Sequence, residues 1–407
     1  MGYEPPCGRL PSSRKLRSPM SDDRPRILVL ADHYLPGWRA GGPIRSLSNM
    51  VSELGDRCDF WILTQDRDHL DDRAYPGIEV GSWAEVGKAK VLYVDRSRFK
   101  ASDIAKTVSS IAPDLVFANS LFSELTLRLL WVRRTRRIGS IPVLIAPRGE
   151  LSTAALALKA RRKLVYLKMG RLVGLFSGVL WQASSTDEVE QIARKVHRAE
   201  AAVAADIPTP PNPAPLIAPT KHAGSVRLVF TARISPMKNL PFLLRLLPQV
   251  EGRIKVDLFG PKEDAEYAIV EGVIDDLPEH ITVEWHGPVP PGDIQGAVCR
   301  SHFSVLPTRG ENFGHSIYEA LRIGRPVVIS DRTPWHGLDE AGAGWVVPLQ
   351  SSDAWVRAIQ RCVDVDGSQY QTLVAGAHRY AQEWYKRVDP SGQQWRSFGL
   401  VLDSADS

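Results

Sequence analysis

Between Ile207 and Pro219 the chain reads IPTPPNPAPLIAP, and its six prolines rule out a helix or a central strand there. The elements on either side therefore form two separate series. A chain of 407 residues is expected to fold as two domains of ordinary size, and the proline run is their natural boundary. Residues 207–222 read as a linker between an N-terminal domain, 25–206, and a C-terminal domain, 223–378. Residues 379–407 read as a C-terminal helix packing back toward the first domain, and residues 1–24 as a flexible tail.

Each series alternates short apolar runs with stretches of helical spacing. In the first, the runs are Arg26–Leu30, Phe60–Thr64, Val91–Val94, Leu115–Ala118, Val143–Ala146 and Val179–Gln182. In the second they are Arg227–Thr231, Val256–Phe259, Thr282–Trp285, Phe303–Leu306, Val327–Ile329 and Trp345–Val347. A helical stretch from about Asp353 to Leu400 closes the chain. Short buried strands alternating with helices imply parallel sheets covered on both faces. The expected architecture is α/β, with two Rossmann-like doubly wound domains facing a central cleft. In such sheets ligands bind at the carboxyl ends of the strands, so chemistry belongs in the loops that follow strands.

Three such loops carry suggestive residues. Thr308 to Ala320 reads TRGENFGHSIYEA and enters a helix near His315. Glu311 stands before that helix and Glu319 about one turn inside it. A carboxylate there can accept two hydrogen bonds from a vicinal diol. Gly314 allows backbone to approach a ligand, and the N–H groups at the helix start suit a sugar hydroxyl or a phosphate. Thr231 to Asn239 reads TARISPMKN. Arg233 and Lys238 can converge across its turn on a diphosphate, one as a planar fork and the other as a point charge. The loop from Gly37 to Pro43 offers backbone N–H groups around Gly41 and Gly42. Taken singly, each has a bland alternative: a capped helix with two solvated glutamates, two surface cations, a plain loop.

No GxGxxG follows Leu30, which argues against a dinucleotide-dependent oxidoreductase. No Asp-x-Asp follows a strand, so no metal site is expected; Asp264, Asp275 and Asp276 stand in poor contexts for one. The four cysteines, Cys7, Cys58, Cys299 and Cys362, lack metal or redox spacing and suit a reducing compartment. Neither a membrane-spanning run nor a signal-peptide core is visible. The expected location is the cytoplasm, either free or peripheral at the inner face of a membrane.

In order and spacing these segments resemble the retaining glycosyltransferases of family 4 (glycosyl transferases group 1), which have the GT-B fold and include many bacterial polysaccharide-biosynthesis enzymes. The resemblance rests on AGGPIRSL at Ala40–Leu47, PRGEL at Pro147–Leu151, TARISPMKN, LFGP at Leu258–Pro261 and the two glutamates eight apart, and it covers roughly residues 26–400. It implies that Glu319 binds the donor ribose and that Glu311 sits beside the donor sugar. It implies sugar contacts from Asn312, Phe313 and Gly314, with His315 beside them, and neutralisation of the donor diphosphate by Arg233 and Lys238. Gly41 and Gly42 match the loop that closes over the phosphates. Where many relatives carry a His, this chain has Arg148, a fixed cation that cannot act as a base.

The function implied is metal-independent transfer, with retention, of a sugar from a nucleotide-diphosphate donor to a glycan or lipid-linked acceptor. No further cofactor is expected. Loops Gly260–Asp264 and Gly287–Gly292 would hold the donor base. The alternatives are a catalytically inactive nucleotide-sugar-binding scaffold and a GT-B enzyme of other chemistry, such as an epimerase.

The net charge is +5. Two basic stretches lie in the N-terminal domain: Arg128 to Arg137 beside Trp131, and Lys159 to Arg171 among apolar residues. A basic amphipathic helix suits an anionic membrane surface; the bland alternative is a solvated face. Nucleic acid is not an expected partner, because few aromatics are interleaved with these cations.

Overall fold

The computed structural model describes residues 24–405 except 158–159, 197–198 and 216. The expected tail, residue 24 apart, lies outside the described residues, as do Cys7 and Lys159. The first sheet contains β1 (Arg26–Leu30), β2 (Asp59–Gln65), β3 (Trp83–Val86), β4 (Ala89–Val94), β5 (Leu115–Asn119), β6 (Val143–Ala146), β7 (Leu180–Ala183) and β8 (Glu200–Val203). Their order is β3-β4-β2-β1-β5-β6-β7-β8. The second contains β9 (Ser225–Thr231), β10 (Arg253–Phe259), β11 (Ile281–Trp285), β12 (Phe303–Leu306), β13 (Val327–Ser330) and β14 (Gly344–Val347), in the order β11-β10-β9-β12-β13-β14. Every strand pair is parallel except β3–β4.

Two edge strands, β3 and β8, were not among the expected runs. The pairing Val86↔Ala89 leaves Gly87-Lys88 as a two-residue hairpin turn, and Gly87 has φ 60°. β8 is a half-exposed edge strand without an apolar run to mark it.

Strand order reverses beside β1, which lies between β2 and β5, and beside β9, which lies between β10 and β12. These switch points open crevices at the carboxyl ends of the strands. The Gly37–Pro43 loop follows β1, the TARISPMKN loop follows β9, and the TRGENFG loop follows β12. Sheet topology thus aims all three motif loops at the same gap.

The linker has no helix or strand among its described residues. A domain boundary after residue 378 needs correction, because it falls inside the continuous helix Gly367–Val388. That helix stops at Asp389, which adopts φ 47°, and Pro390–Ala405 starts a new helix. The last helix buries Phe398 and Val401 in the N-terminal domain, with the Phe398 ring 5.7 Å from Phe117. Gln394 and Gln182 exchange two amide hydrogen bonds at 2.8 and 2.9 Å.

Candidate functional site

The two C-terminal motif loops form one unit. Arg309 N–H donates to the Met237 carbonyl at 2.8 Å, and Asn239 Nδ2 donates to the Pro307 carbonyl at 3.2 Å. The buried Thr308 hydroxyl donates across the same gap to Met237 at 3.1 Å. LFGP packs beneath them. Gly260 has φ 140°, and a Cβ there would stand 2.2 Å from the Ala232 carbonyl oxygen, so only glycine permits this approach. Gly260 N–H also donates to Gly287 at 3.0 Å, joining the two loops expected to hold a base.

The helix His315–Leu321 begins where its sequence suggests, behind Gly314 at φ 81°. Trp335 locks the turn before it by donating from Nε1 to the Phe313 carbonyl at 2.5 Å, and its ring packs 5.3 Å from the Phe313 ring.

Between the domains lies a cavity of about 780 Å³. Gly41, Gly42 and Arg148 line it from the N-terminal side. Arg233, Lys238, Glu311, Asn312, Phe313, Gly314, His315 and Glu319 line it from the other. The structure thus brings to one cleft every residue named from the sequence for the sugar, ribose and diphosphate, together with Arg148. Gly260, Pro261, Glu263 and Val289 line the same space.

The charges in the cleft are mostly spoken for. Lys238 pairs with Glu311, and Arg148 with Asp206. Arg148 Nε also donates to Asn119 Oδ1 at 2.8 Å, and its backbone φ is 54°. Burial pulls the Arg148 guanidinium down to about 10, so it remains a cation at neutral pH. Glu319 pairs with Arg45, which reaches across from the helix Gly42–Leu54. Burial and the nearby Arg322 lower Arg45 to about 10 as well.

Arg233 differs. Among the described residues it has no carboxylate partner, and its Nε is buried without a hydrogen bond. Burial pulls its guanidinium below the usual arginine range, with the Glu263 carboxylate acting the other way. An unpartnered guanidinium facing a cavity is costly unless an anion joins it.

The N-terminal loop is held rather than loose. The Asp68 carboxylate accepts from the N–H groups of Trp38 at 2.9 Å, Arg39 at 3.1 Å and His69 at 2.7 Å. Gly41 N–H donates to the Trp38 carbonyl at 2.9 Å, so it is already used, and Pro43 has none to offer. Gly42 has a second task. A Cβ there would lie 3.0 Å from the His315 ring, so the small residue lets the two domains touch. Next to it, the Ser46 hydroxyl is 2.7 Å from His315 Nε2. Burial first, then Arg45 and Arg148, pushes His315 down to about 3. The ring is neutral and acts as an interdomain bridge.

Five residues that position the site were not anticipated: Arg45, Ser46, Asp68, Asp206 and Trp335. Arg45 and Ser46 had a signal, since both lie in the first turn after the glycine pair. The other three act on residues distant in sequence, Asp68 on Trp38 and Arg39, Asp206 on Arg148 and Trp335 on Phe313.

Asp257, Glu284 and His286 are close enough together to share an ion, but none lines the cleft. Lys255 Nζ lies 2.7 Å from Glu284 and 3.6 Å from Asp257, so a cation already serves these carboxylates.

Residues 225–364 match the family model described as Glycosyl transferases group 1, so the C-terminal domain carries a domain of that kind. The chain is similar to a solved sucrose-phosphate synthase from Thermosynechococcus elongatus, at 17% identity and a TM-score of 0.70, covering 93% of this chain and 100% of that one. It is also similar to HepE from Anabaena, solved with UDP and glucose, at 18% identity and a TM-score of 0.67, with 93% and 100% covered. WaaG, a glycosyltransferase involved in lipopolysaccharide biosynthesis, matches at 12% identity and a TM-score of 0.62, with 92% and 99% covered. At these identities the likeness establishes the fold, which is GT-B. No curated protein matches the chain.

Proposed function

We propose that this chain is a retaining glycosyltransferase that moves a sugar from a nucleotide-diphosphate donor to a glycan or lipid-linked acceptor, in the making of a cell-surface polysaccharide. The observation that carries the reading is Arg233: a cation facing the cleft with no carboxylate partner among the described residues, on the loop that also holds Lys238, opposite the helix that holds Glu319. A diphosphate supplies the missing anion. The glycosyl transferases group 1 match spans these residues, and HepE, of the same fold, was solved with UDP-glucose.

In this reading the ribose diol donates hydrogen bonds to the Glu319 carboxylate in place of Arg45. The donor sugar lies beside Glu311 and Asn312. As the bond between the anomeric carbon and the diphosphate oxygen breaks, negative charge grows on the leaving group. Arg233 and Lys238 stabilise that charge, and being fixed they need no reorganisation. The acceptor hydroxyl attacks the face the diphosphate leaves, and a diphosphate oxygen takes its proton. Neutral His315 holds the domains together and exchanges no proton.

Saturation-transfer NMR against UDP, GDP, ADP and their sugar conjugates tests the reading, with Glu319→Ala as control. Binding by one nucleotide class, lost in the variant, supports it. Binding by none of them rejects it.

A further inference from the structure

We propose that the N-terminal domain docks on an anionic membrane through the helix Ala160–Leu172 and the adjoining Trp131. The argument begins with charge. Residues 125–142 and 151–186 together hold eleven Lys and Arg and no Asp or Glu. The whole chain is only +5, so the rest of it is net negative. The basicity of the protein is therefore concentrated on one part of one domain.

The structure shows what these cations surround. Helix Ala160–Leu172 buries Leu167 and Gly170. A Cβ at Gly170 would stand 2.7 Å from the Phe176 ring, so the helix is pressed closely to the domain along that face. The opposite face should carry charge if it met only water. Instead Val165, Met169 and Leu172, at spacings of four and three, form an exposed stripe. They are 59%, 51% and 79% exposed. Arg162 flanks the stripe on one side, and Arg161 and Lys168 on the other. Trp131, on the neighbouring helix Glu124–Arg134, is 57% exposed. Arg134, one turn along its helix, donates from Nε to the Val173 carbonyl at 2.8 Å and ties the two elements together.

An apolar stripe between rows of cations fits the headgroup boundary of an anionic leaflet, where the side chains enter the acyl region and the cations meet phosphate. A nucleic acid would use the cations and leave the stripe wet. A second copy of this chain would set like charges against each other.

The same helix reaches the cleft, because Lys163 lines the cavity. Lys163 and Leu172 are separated by about 14 Å of helix. A docked leaflet would lie beside the cleft mouth and present a lipid-linked acceptor to it. That last point rests on the glycosyltransferase reading; the docking itself does not.

Flotation of the full chain with phosphatidylglycerol–phosphatidylcholine vesicles tests the proposal, with phosphatidylcholine alone as reference. Binding is expected only to the anionic vesicles, weakening as salt rises. Leu172→Ser should lower the partition coefficient roughly tenfold or more, and Lys168→Ser about fivefold. Both positions are exposed, so thermal melts and nucleotide binding should match those of the parent chain. That separates failure of docking from failure at the cleft. Absence of binding to anionic vesicles would overturn the proposal. So would binding that Leu172→Ser leaves unchanged, which would mark a purely electrostatic polyanion site, or self-association in solution that the same variant abolishes.

Discussion

Replacing Arg233 by alanine separates its proposed role from that of a structural cation. A guanidinium bonded to phosphate oxygens contributes roughly 1.5–3 kcal/mol, and each 1.4 kcal/mol is about tenfold in affinity. Arg233→Ala should therefore weaken binding of a nucleoside diphosphate by about 10- to 150-fold. It should leave binding of the bare nucleoside unchanged, because Glu319 and the base loops are untouched. The free protein should respond the other way. Among the described residues Arg233 has no carboxylate partner, and its Nε is buried and unbonded, so the variant should melt no lower than the parent. Lys238→Ala offers the contrast: it strips Glu311 of its partner and should lower the melting temperature. Calorimetric titration with nucleoside, monophosphate and diphosphate, beside thermal melts, measures all of this. An equal loss along the nucleotide series would refute the phosphate role. A marked fall in the melting temperature of Arg233→Ala would refute the claim that it is unpartnered.

Two further outcomes follow from the same geometry. Phe398 fills the N-terminal core from the far end of the chain, so Phe398→Ala should cost about 3–5 kcal/mol, measured by denaturant unfolding with an N-domain probe. His315 is held near 3, below its ordinary 6.5, so the unfolded chain takes up that proton first as pH falls. Its share of stability is whole above about 6.5 and is lost toward 3; His302 and His69, both near 4, act in the same sense. His315→Gln should flatten the acid limb of stability against pH by one proton, and an unchanged slope would place His315 in water.

Much of the fold could be read from the chain because its signals are local. An apolar run such as Ile27–Leu30 is a buried strand wherever it sits in a parallel sheet, and the proline run excludes helix and strand without help from its neighbours. Loops after β1, β9 and β12 could be singled out for the same reason. The edge strands escaped, since β8 is held by pairing with β7 rather than by its own pattern. The turn Gly87-Lys88 that makes β3 was a usable signal.

What only tertiary structure decided is which charges meet. Arg45 finds Glu319, and Ser46 finds His315, more than 260 residues away. Arg148 pairs with Asp206, and Lys238 with Glu311, while Arg233 has no carboxylate partner among the described residues. The sequence marks Glu319, His315, Arg148, Lys238, Glu311 and Arg233 as cleft residues but not their partners Arg45, Ser46 and Asp206, and it cannot rank them, because the worth of a charge depends on what faces it and how dry the space is. The stripe on Ala160–Leu172 follows the same rule. Composition shows a basic, apolar helix, but only packing through Gly170 shows that Leu172 faces outward. Local propensity settled the strands and loops of this protein; contacts between residues far apart in the chain settled which of its groups remain unsatisfied and so able to bind.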